Sequence, residues 1–291
     1  MHGCRPSDHC RAPQVSDLGF CLAGALLLFA LNLTVRVLVA RPLARRMLGP
    51  EARPGVILRA AQSLTEGTTH LAFSIAAWWL LAQQLDAEAA VRSVAPHAMM
   101  HHFYPYHHIG WIASQASIPR DLARFYLMYG ARYLQAVVTV FMEPRRRDFW
   151  VMVVHHALAA TAVLASYFGG WVRIGLVVMA LLDPSDVPLH LAKVCKYVGD
   201  TRAAPNARRA ADWLFGMFAV SFVVLRLGIY PQVCWDAQWT IPVGGETSWA
   251  VGVASLWGLL LLNVYWTWLI LRAVRGMLAG RHVEDDRSDD D

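Results

Sequence analysis

Apolar positions along the chain come in blocks. Seven long stretches stand out, at roughly 18–40, 64–85, 122–142, 149–168, 171–192, 211–233 and 249–271. Each approaches the ~20 residues a helix needs to cross a bilayer core. The pattern predicts an all-α fold, a polytopic transmembrane helix bundle of about seven spans. Polar connectors punctuate it. In "RVLVARPLARRMLGPEARPG", Pro42, Pro50 and Pro54 are expected to break regular structure. Residues 86–121 hold charges, Pro96, Pro105 and many histidines, and read as an interfacial segment. "FGGW" predicts a tight reversal at Gly169 and Gly170 between the fourth and fifth helices. "GDTRAAPNARR" reads as a solvated loop and "RHVEDDRSDDD" as a disordered acidic tail. The chain divides into 1–63 (N-terminal segment, first span and basic connector), 64–277 (the remaining transmembrane domain) and 278–291 (the tail).

Composition agrees with this division. Of the 291 residues, 56% are hydrophobic and 16% charged, against about 25% charged in a soluble domain. A two-domain soluble enzyme is excluded. The net charge of +5 suggests nucleic acid only until its distribution is read. With a lumenal N-terminus, one face receives six arginines between Arg36 and Arg59 and three at Arg145–Arg147. It also receives five basic residues between Lys193 and Arg209 and four from Arg272 onward, 18 of the 26 Lys and Arg. The loop from Trp235 to Trp249 has none. Positive residues concentrate on the cytosolic side, so the expected orientation is N-terminus lumenal and C-terminus cytosolic. The basic face has a second use in holding an anionic substrate. The five cysteines show no metal or disulfide spacing, although Cys4 and Cys10 are close enough to pair in an oxidising lumen. The first 17 residues lack a signal-peptide cleavage pattern, so the first stretch reads as a retained span.

Candidate chemistry sits in "VMVVHHALAATAVLASY", where His155 and His156 interrupt an apolar run. Polar side chains inside hydrocarbon are costly and tend to mark function. Counting outward from the glycine turn, His155 lies 14 residues before Gly169 and Pro184 lies 14 after Gly170. Equal path length places the histidines level with Asp183 and Asp186. Asp183, Asp186, His190 and Lys193 recur at i, i+3, i+7 and i+10, which puts them on one helical stripe facing the bundle interior. Pro184 and Pro188 are expected to kink that helix and free carbonyls. A neutral imidazole is a nucleophile or general base, and a carboxylate orients it and stabilises its cation. His155 and Asp183 are expected to take those roles. Arginines at the cytosolic mouth suit a phosphate-bearing donor such as an acyl thioester of coenzyme A. Against this stands the plainer reading that the polar groups only glue helices together.

Residues 145–193, "RRRDFWVMVVHHALAATAVLASYFGGWVRIGLVVMALLDPSDVPLHLAK", resemble the Lag1p motif of the ceramide synthases, within the TLC (TRAM-Lag1-CLN8) domain family. The motif runs basic-basic-basic-Asp-Phe, His-His, Ser, Arg-x-Gly, His-Asp-x-x-Asp and Ala-Lys. Its counterparts here are Arg145-Arg146-Arg147-Asp148-Phe149, His155-His156, Ser166, Arg173 with Gly175, Asp183 with Asp186, and Ala192-Lys193. "FAVSFVVLRLGIYP" (218–231) is similar to the family's sixth helix, and "DDRSDDD" resembles the tail of many members. The resemblance implies N-acylation of a sphingoid base by a fatty acyl-CoA in the endoplasmic reticulum membrane. One motif histidine would carry the acyl group or activate the amine. It implies catalytic roles for His155, His156, Asp183 and Asp186, with support from Arg173 and Ser166; His190 is a further supporting candidate from its place on the polar stripe. Acyl-CoA would be held by Arg145, Arg146, Arg147 and Lys193. No metal and no cofactor are implied beyond acyl-CoA as co-substrate. Membrane lipids are the surroundings, and homo- or heterodimerisation is left open. The loop from Cys234 to Trp249 is implied to help choose acyl length.

Three positions depart from the pattern. The His of His-Asp is Leu182, the Glu before Ala-Lys is His190, and the Asn before the arginine is Gly170. An Asp186–His190 pair, one turn apart, is the expected compensation for Leu182. Two rival readings follow. A non-catalytic TLC-type lipid-binding or trafficking protein fits the loss of the histidine. A diiron hydroxylase or desaturase is suggested by "HAMMHHFYPYHH" (97–108), but the spaced histidine box does not repeat. An interfacial belt of histidines and aromatics is the plainer account of that segment.

Overall fold

Every one of the seven apolar stretches forms helix. The computed structural model describes residues 10–89, 117–143, 148–239 and 246–278. In chain order the helices are α1 (Ser16–Val35), α2 (Arg41–Leu48), α3 (Pro54–Ala89), α4 (Arg120–Thr139) and α5 (Phe149–Gly169), followed by α6 (Val172–Leu182), α7 (Asp186–Thr201), α8 (Pro205–Val223), α9 (Tyr230–Gln238) and α10 (Glu246–Leu278). Among the described residues there is no strand, only an isolated antiparallel bridge between Arg11 and Ile118. The histidine-rich segment 97–108, Arg145–Arg147, Cys4 and the acidic tail from residue 279 lie outside the described residues.

Five helical stretches are long and apolar enough to cross a membrane: Ser16–Leu48, Phe149–Gly169, Val172–Thr201, Pro205–Gln238 and Glu246–Met277. The stretches 64–85 and 122–142 fall in α3 and α4, which are not among the five. The physical reason is visible in their residues. α3 carries Glu66 and His70, and α4 carries Arg124, Arg132 and Gln135. These two helices bring Glu66, His70 and Arg132 to the bundle interior.

The connector after the first span differs from expectation, because Pro42 does not end the helix. α1 passes through a π-helical segment, Arg36–Ala40, directly into α2. There the Arg41 N–H reaches back five residues to the Arg36 carbonyl. This change of register just before Pro42 accommodates a residue that has no N–H to give. The helix stops at Gly49, whose φ of 94° suits glycine, and Pro54 opens α3.

The glycine turn forms as predicted. Gly170 is left-handed (φ 78°), Trp171 N–H donates to the Ser166 carbonyl at 2.8 Å, and Gly170 N–H to that of Tyr167 at 3.3 Å. This pair of bonds closes the helix with a Schellman motif. The break at Pro184 also forms, as a 3₁₀ turn over Asp183–Ser185. It separates α6 from α7.

α5 packs between α4 and α10, and α7 packs between α3 and α8. At the end of the bundle near the glycine turn, Tyr126, Tyr167, Val172, Leu176 and Tyr230 are buried in one core. Its tyrosine hydroxyls are satisfied. Tyr126 donates to the Val172 carbonyl (2.9 Å), and Tyr230 donates to that of Leu256 (2.8 Å). Ala40, Ala44, Ala60 and Ala61 let the first helical stretch and α3 approach closely. Leu26, Leu27, Trp78, Trp213, Leu261 and Trp268 face outward, as an exterior solvated by acyl chains allows.

The chain before α1 is tied to this end of the bundle. Asp17 is fully buried. It accepts from Arg11 Nη2 (2.7 Å), Tyr167 Oη (2.8 Å) and the Gln14 backbone N–H (2.9 Å). Cys10 is disulfide-bonded, whereas Cys21, Cys195 and Cys234 are free. Asp17→Ala removes the acceptor that three donors share. It is expected to cost about 3 kcal/mol, and Asp17→Asn less, since an amide oxygen still accepts. Thermal unfolding in micelles checks this, and equal midpoints for Asp17→Ala and wild type would contradict it.

Candidate active site

A cavity of about 530 Å³ lies between α3, α4, α5, α7, α8 and α10. Its lining reaches Glu143, Asp148, Asp200 and Arg208, so it opens at the end where α4 and α7 finish and α5 and α8 begin. Asp183, Asp186, His190 and Lys193 all line it, which is the polar stripe expected from their spacing. His155 and His156 line it as well, from α5.

The two carboxylates are not paired with those histidines. Asp183, 2% exposed, accepts from Arg132 Nη1 at 2.7 Å and lies 3.0 Å from His70 Nδ1. Arg132 Nη2 lies 2.9 Å from His70 Nδ1 and 3.2 Å from His70 Nε2, so the guanidinium and the carboxylate both meet this imidazole. Phe73, Tyr129 and Tyr133 surround the guanidinium, with ring centroids 4.9–5.6 Å from its carbon. The quadrupoles of those rings help replace the water that this cation gives up.

Asp186 is held by a second arginine. Arg226 Nη2 donates to Asp186 Oδ2 and to the Leu182 carbonyl, both at 2.6 Å. Arg226 Nε donates to Ser185 Oγ (3.1 Å) and Nη1 to Asn263 Oδ1 (3.4 Å). The local backbone explains why Leu182 is available. In the 3₁₀ turn the Asp186 N–H bonds the Asp183 carbonyl, not that of Leu182 as an unbroken α-helix requires. The Leu182 carbonyl instead accepts from Ser185 Oγ (3.0 Å) and from Arg226. Arg226 itself lies in a π-helical segment, Val224–Ile229, between α8 and α9. π-bulges often occur where a functional side chain must be re-aimed.

His155 meets Trp266 edge-on at 5.0 Å and His156 at 5.3 Å between centroids. Tyr133 stands 6.3 Å from His155 and 6.2 Å from His156. The Nδ1 atoms of both histidines are buried with no protein hydrogen-bond partner. Being adjacent on a helix, the rings point ~100° apart. His190 does not pair with Asp186, contrary to the expected compensation. Its ring stacks on His70 (5.5 Å, 21°), and its Nε2 lies 3.5 Å from Glu66 Oε2. The imidazole beside the carboxylates comes from α3 instead, as His70.

Ser166 is outside this cavity. Its hydroxyl donates to the Val163 carbonyl (3.0 Å) and lies 3.4 Å from Tyr126 Oη. It lines a smaller apolar cavity of about 60 Å³, toward the glycine turn. Tyr133 and Leu182 line both cavities. Arg173, in the first turn of α6, is not among the residues lining either. Arg145–Arg147 lie outside the described residues.

His70, Asp183 and Asp186 bring candidate cation-binding atoms within 4.8 Å of one another. The same carboxylates already accept charged hydrogen bonds from Arg132 and Arg226. Two guanidinium groups thus balance two carboxylates, and we read the cluster as an ion-pair network.

Sequence reasoning missed His70, Glu66, Arg132 and Arg226. The signal was present: each is an ionisable residue within an apolar stretch, and such a residue is a functional candidate by default.

Fold and site together define a polytopic membrane protein with an imidazole–carboxylate cavity in its helix bundle. The TLC domain profile matches residues 61–272, and the chain belongs to that family. It is similar to Ceramide synthase 5 of Homo sapiens, with 35% identity over 173 residues, 58% of this chain and 42% of that protein. It is 33% identical over 183 residues to Alternaria stem canker resistance protein 1 of Solanum lycopersicum (57% of each chain). It is 31% identical over 192 residues to Ceramide synthase 1 LOH3 of Arabidopsis thaliana (62% and 59%). The chain spans about half the length of the curated relatives it matches.

The site geometry makes Arg226 structural as well as electrostatic. Arg226→Met strips Asp186, Ser185 and the Leu182 carbonyl of a donor and is expected to cost about 3–5 kcal/mol. Arg226→Lys restores only part, because an ammonium lacks the guanidinium fork. Thermal midpoints of the purified variants check the order wild type, Lys, Met. Equal midpoints for all three would contradict it.

Proposed function

We propose that the protein is a ceramide synthase-like N-acyltransferase that moves a fatty acyl group from acyl-CoA to the amine of a sphingoid base. One observation carries this reading. Two histidines with unpartnered Nδ1 atoms and two arginine-paired carboxylates line a single cavity inside the membrane bundle, open at its charged end. The similarity to ceramide synthases supplies the substrates.

In this reading the thioester enters with its phosphates toward the mouth. Lys193 and Lys196 line the cavity there, and Arg145–Arg147 precede α5 in sequence. His155 attacks the thioester carbonyl, and an acyl-histidine then passes its acyl group to the amine. His156 faces a different side and holds the second substrate or its proton. Arg132 and Arg226 hold the carboxylates of Asp183 and Asp186 in place, and those carboxylates stabilise positive charge that develops on the imidazoles and the amine. The hydrocarbon chain passes Tyr133 and Leu182 into the smaller apolar cavity. The protein sits in the endoplasmic reticulum membrane with its N-terminus lumenal. The disulfide at Cys10 suits that oxidising side, and the basic connectors suit the cytosolic one. A non-catalytic lipid-binding role, suggested by Leu182, loses weight because His70 supplies an imidazole at the same carboxylates.

Incubation with isotope-labelled acyl-CoA, without amine, is expected to leave acyl mass on His155, and His155→Ala to abolish it along with amide product. A labelled adduct on His156 alone would overturn the assignment. Absence of both adduct and amide would overturn the reading. Ala162→Phe fills the smaller cavity and is expected to shift product toward shorter acyl chains. Product analysis by mass spectrometry checks this, and an unchanged chain distribution would contradict it.

A further inference from the structure

N-acylation from a thioester releases a proton. The ammonium of the base loses one proton to become a nucleophile. As the acyl-imidazole forms and the C–S bond breaks, the imidazole proton goes to the thiolate sulfur; as the amide C–N bond forms and the acyl–imidazole bond breaks, a second proton leaves the amine and returns to the imidazole. The amide and the thiol are neutral at the reacting atoms, so one proton remains for every turnover. Inside a membrane bundle that proton needs a path of titratable groups and water to the aqueous face.

The wall formed by α3 and α7 carries such a path. His190 is 8% exposed. Its Nε2 lies 3.5 Å from Glu66 Oε2, and its Nδ1 is buried with no protein hydrogen-bond partner. An imidazole with one nitrogen against a carboxylate and the other unsatisfied can take a proton on one side and release it on the other. On the inner side its ring stacks on His70, which bonds Asp183. On the outer side Gln62 Nε2 donates to both Glu66 Oε1 and Glu143 Oε1, each at 2.7 Å. Arg36, 3.5 Å from Glu143, completes the string. All these groups line the 530 Å³ cavity, which has room for water between them. Gly67 sets the spacing: a Cβ there would lie 3.0 Å from His190 Cβ. The charged and titratable groups around the pair are His70 on α3, His156 on α5, Arg132 on α4, and Asp186 and Lys193 on α7.

We infer that Glu66 and His190 form the proton exit relay of this site, carrying the proton released by acyl transfer from the buried carboxylates to the mouth of the cavity. The inference rests on the N-acyltransferase reading. Neither residue touches the reacting atoms, so both act as relay residues. The plainer role for such a pair, a polar clasp between α3 and α7, predicts lost stability with no dependence on the buffer.

The test uses the full chain in micelles, with acyl-CoA and a sphingoid base, at constant pH and ionic strength. The concentration of an imidazole buffer is varied, because small imidazoles enter polar cavities and replace a missing relay. Glu66→Gln and His190→Gln are expected to lower kcat by roughly 10²-fold with KM little changed, and Glu66→Asp to keep most of the rate. Raising the imidazole concentration is expected to restore kcat of the two Gln variants while leaving wild type unaffected. Wild-type turnover in both Gln variants would overturn the relay. So would a loss that neither imidazole nor Asp at position 66 relieves. If the wild-type chain itself yields no amide, the N-acyltransferase reading fails, an outcome distinct from an active wild type with unaffected variants.

Discussion

A carboxylate cannot stay ionised in the interior of a membrane bundle unless a cation stays with it, and this constraint organises the structure. Asp183 is matched by Arg132 and Asp186 by Arg226. Each pairing joins segments distant in sequence, the first partners 51 positions apart and the second 40. Breaking either pair leaves a charge without its cation inside the bundle. The polar cavity is therefore a consequence of charge matching as much as of shape.

Backbone irregularity follows from the same need. An uninterrupted helix through Asp183–Ser185 would consume the Leu182 carbonyl in its own ladder. Pro184 and the 3₁₀ turn take it out of that ladder, and Ser185 Oγ and Arg226 both donate to it. Arg226 in turn sits where α8 loosens into a π-helical segment. Irregular backbone is tolerated at membrane depth when it is buried in protein or lines a wet cavity, and here it does both. The tail of the first helical stretch repeats the device on the outside. Its π segment begins at Arg36, at the mouth, and absorbs Pro42.

How much of this was legible depended on how the signal was spaced. The apolar blocks fixed the helices, and the glycine pair fixed the turn. The i, i+3, i+7, i+10 stripe placed Asp183, Asp186, His190 and Lys193 on one wall, because the last three share α7 and Asp183 stands in the short turn that leads into it. His155 and His156 were legible as a polar interruption in an apolar run. The partners were not. His70, Arg132 and Arg226 are single ionisable residues in three separate stretches, and nothing local says that they converge. Sequence spacing therefore assigned Asp183 to His155 and Asp186 to His190, whereas packing gives them to Arg132 with His70 and to Arg226. Proline at position 42 was read as a break for a sound local reason, and a register shift of one residue set that reason aside.

The central claim, that the acidic residues of the cavity depend on their arginines, is tested most directly by a double-mutant cycle on Arg132 and Asp183. Stability of Arg132→Met, Asp183→Asn and the double variant would be measured by unfolding in micelles. The account predicts that each single change is costly and the double change costs little more than either, with a coupling of about 2 kcal/mol or above. Costs that simply add would show that the two groups do not depend on one another, and the account would fail.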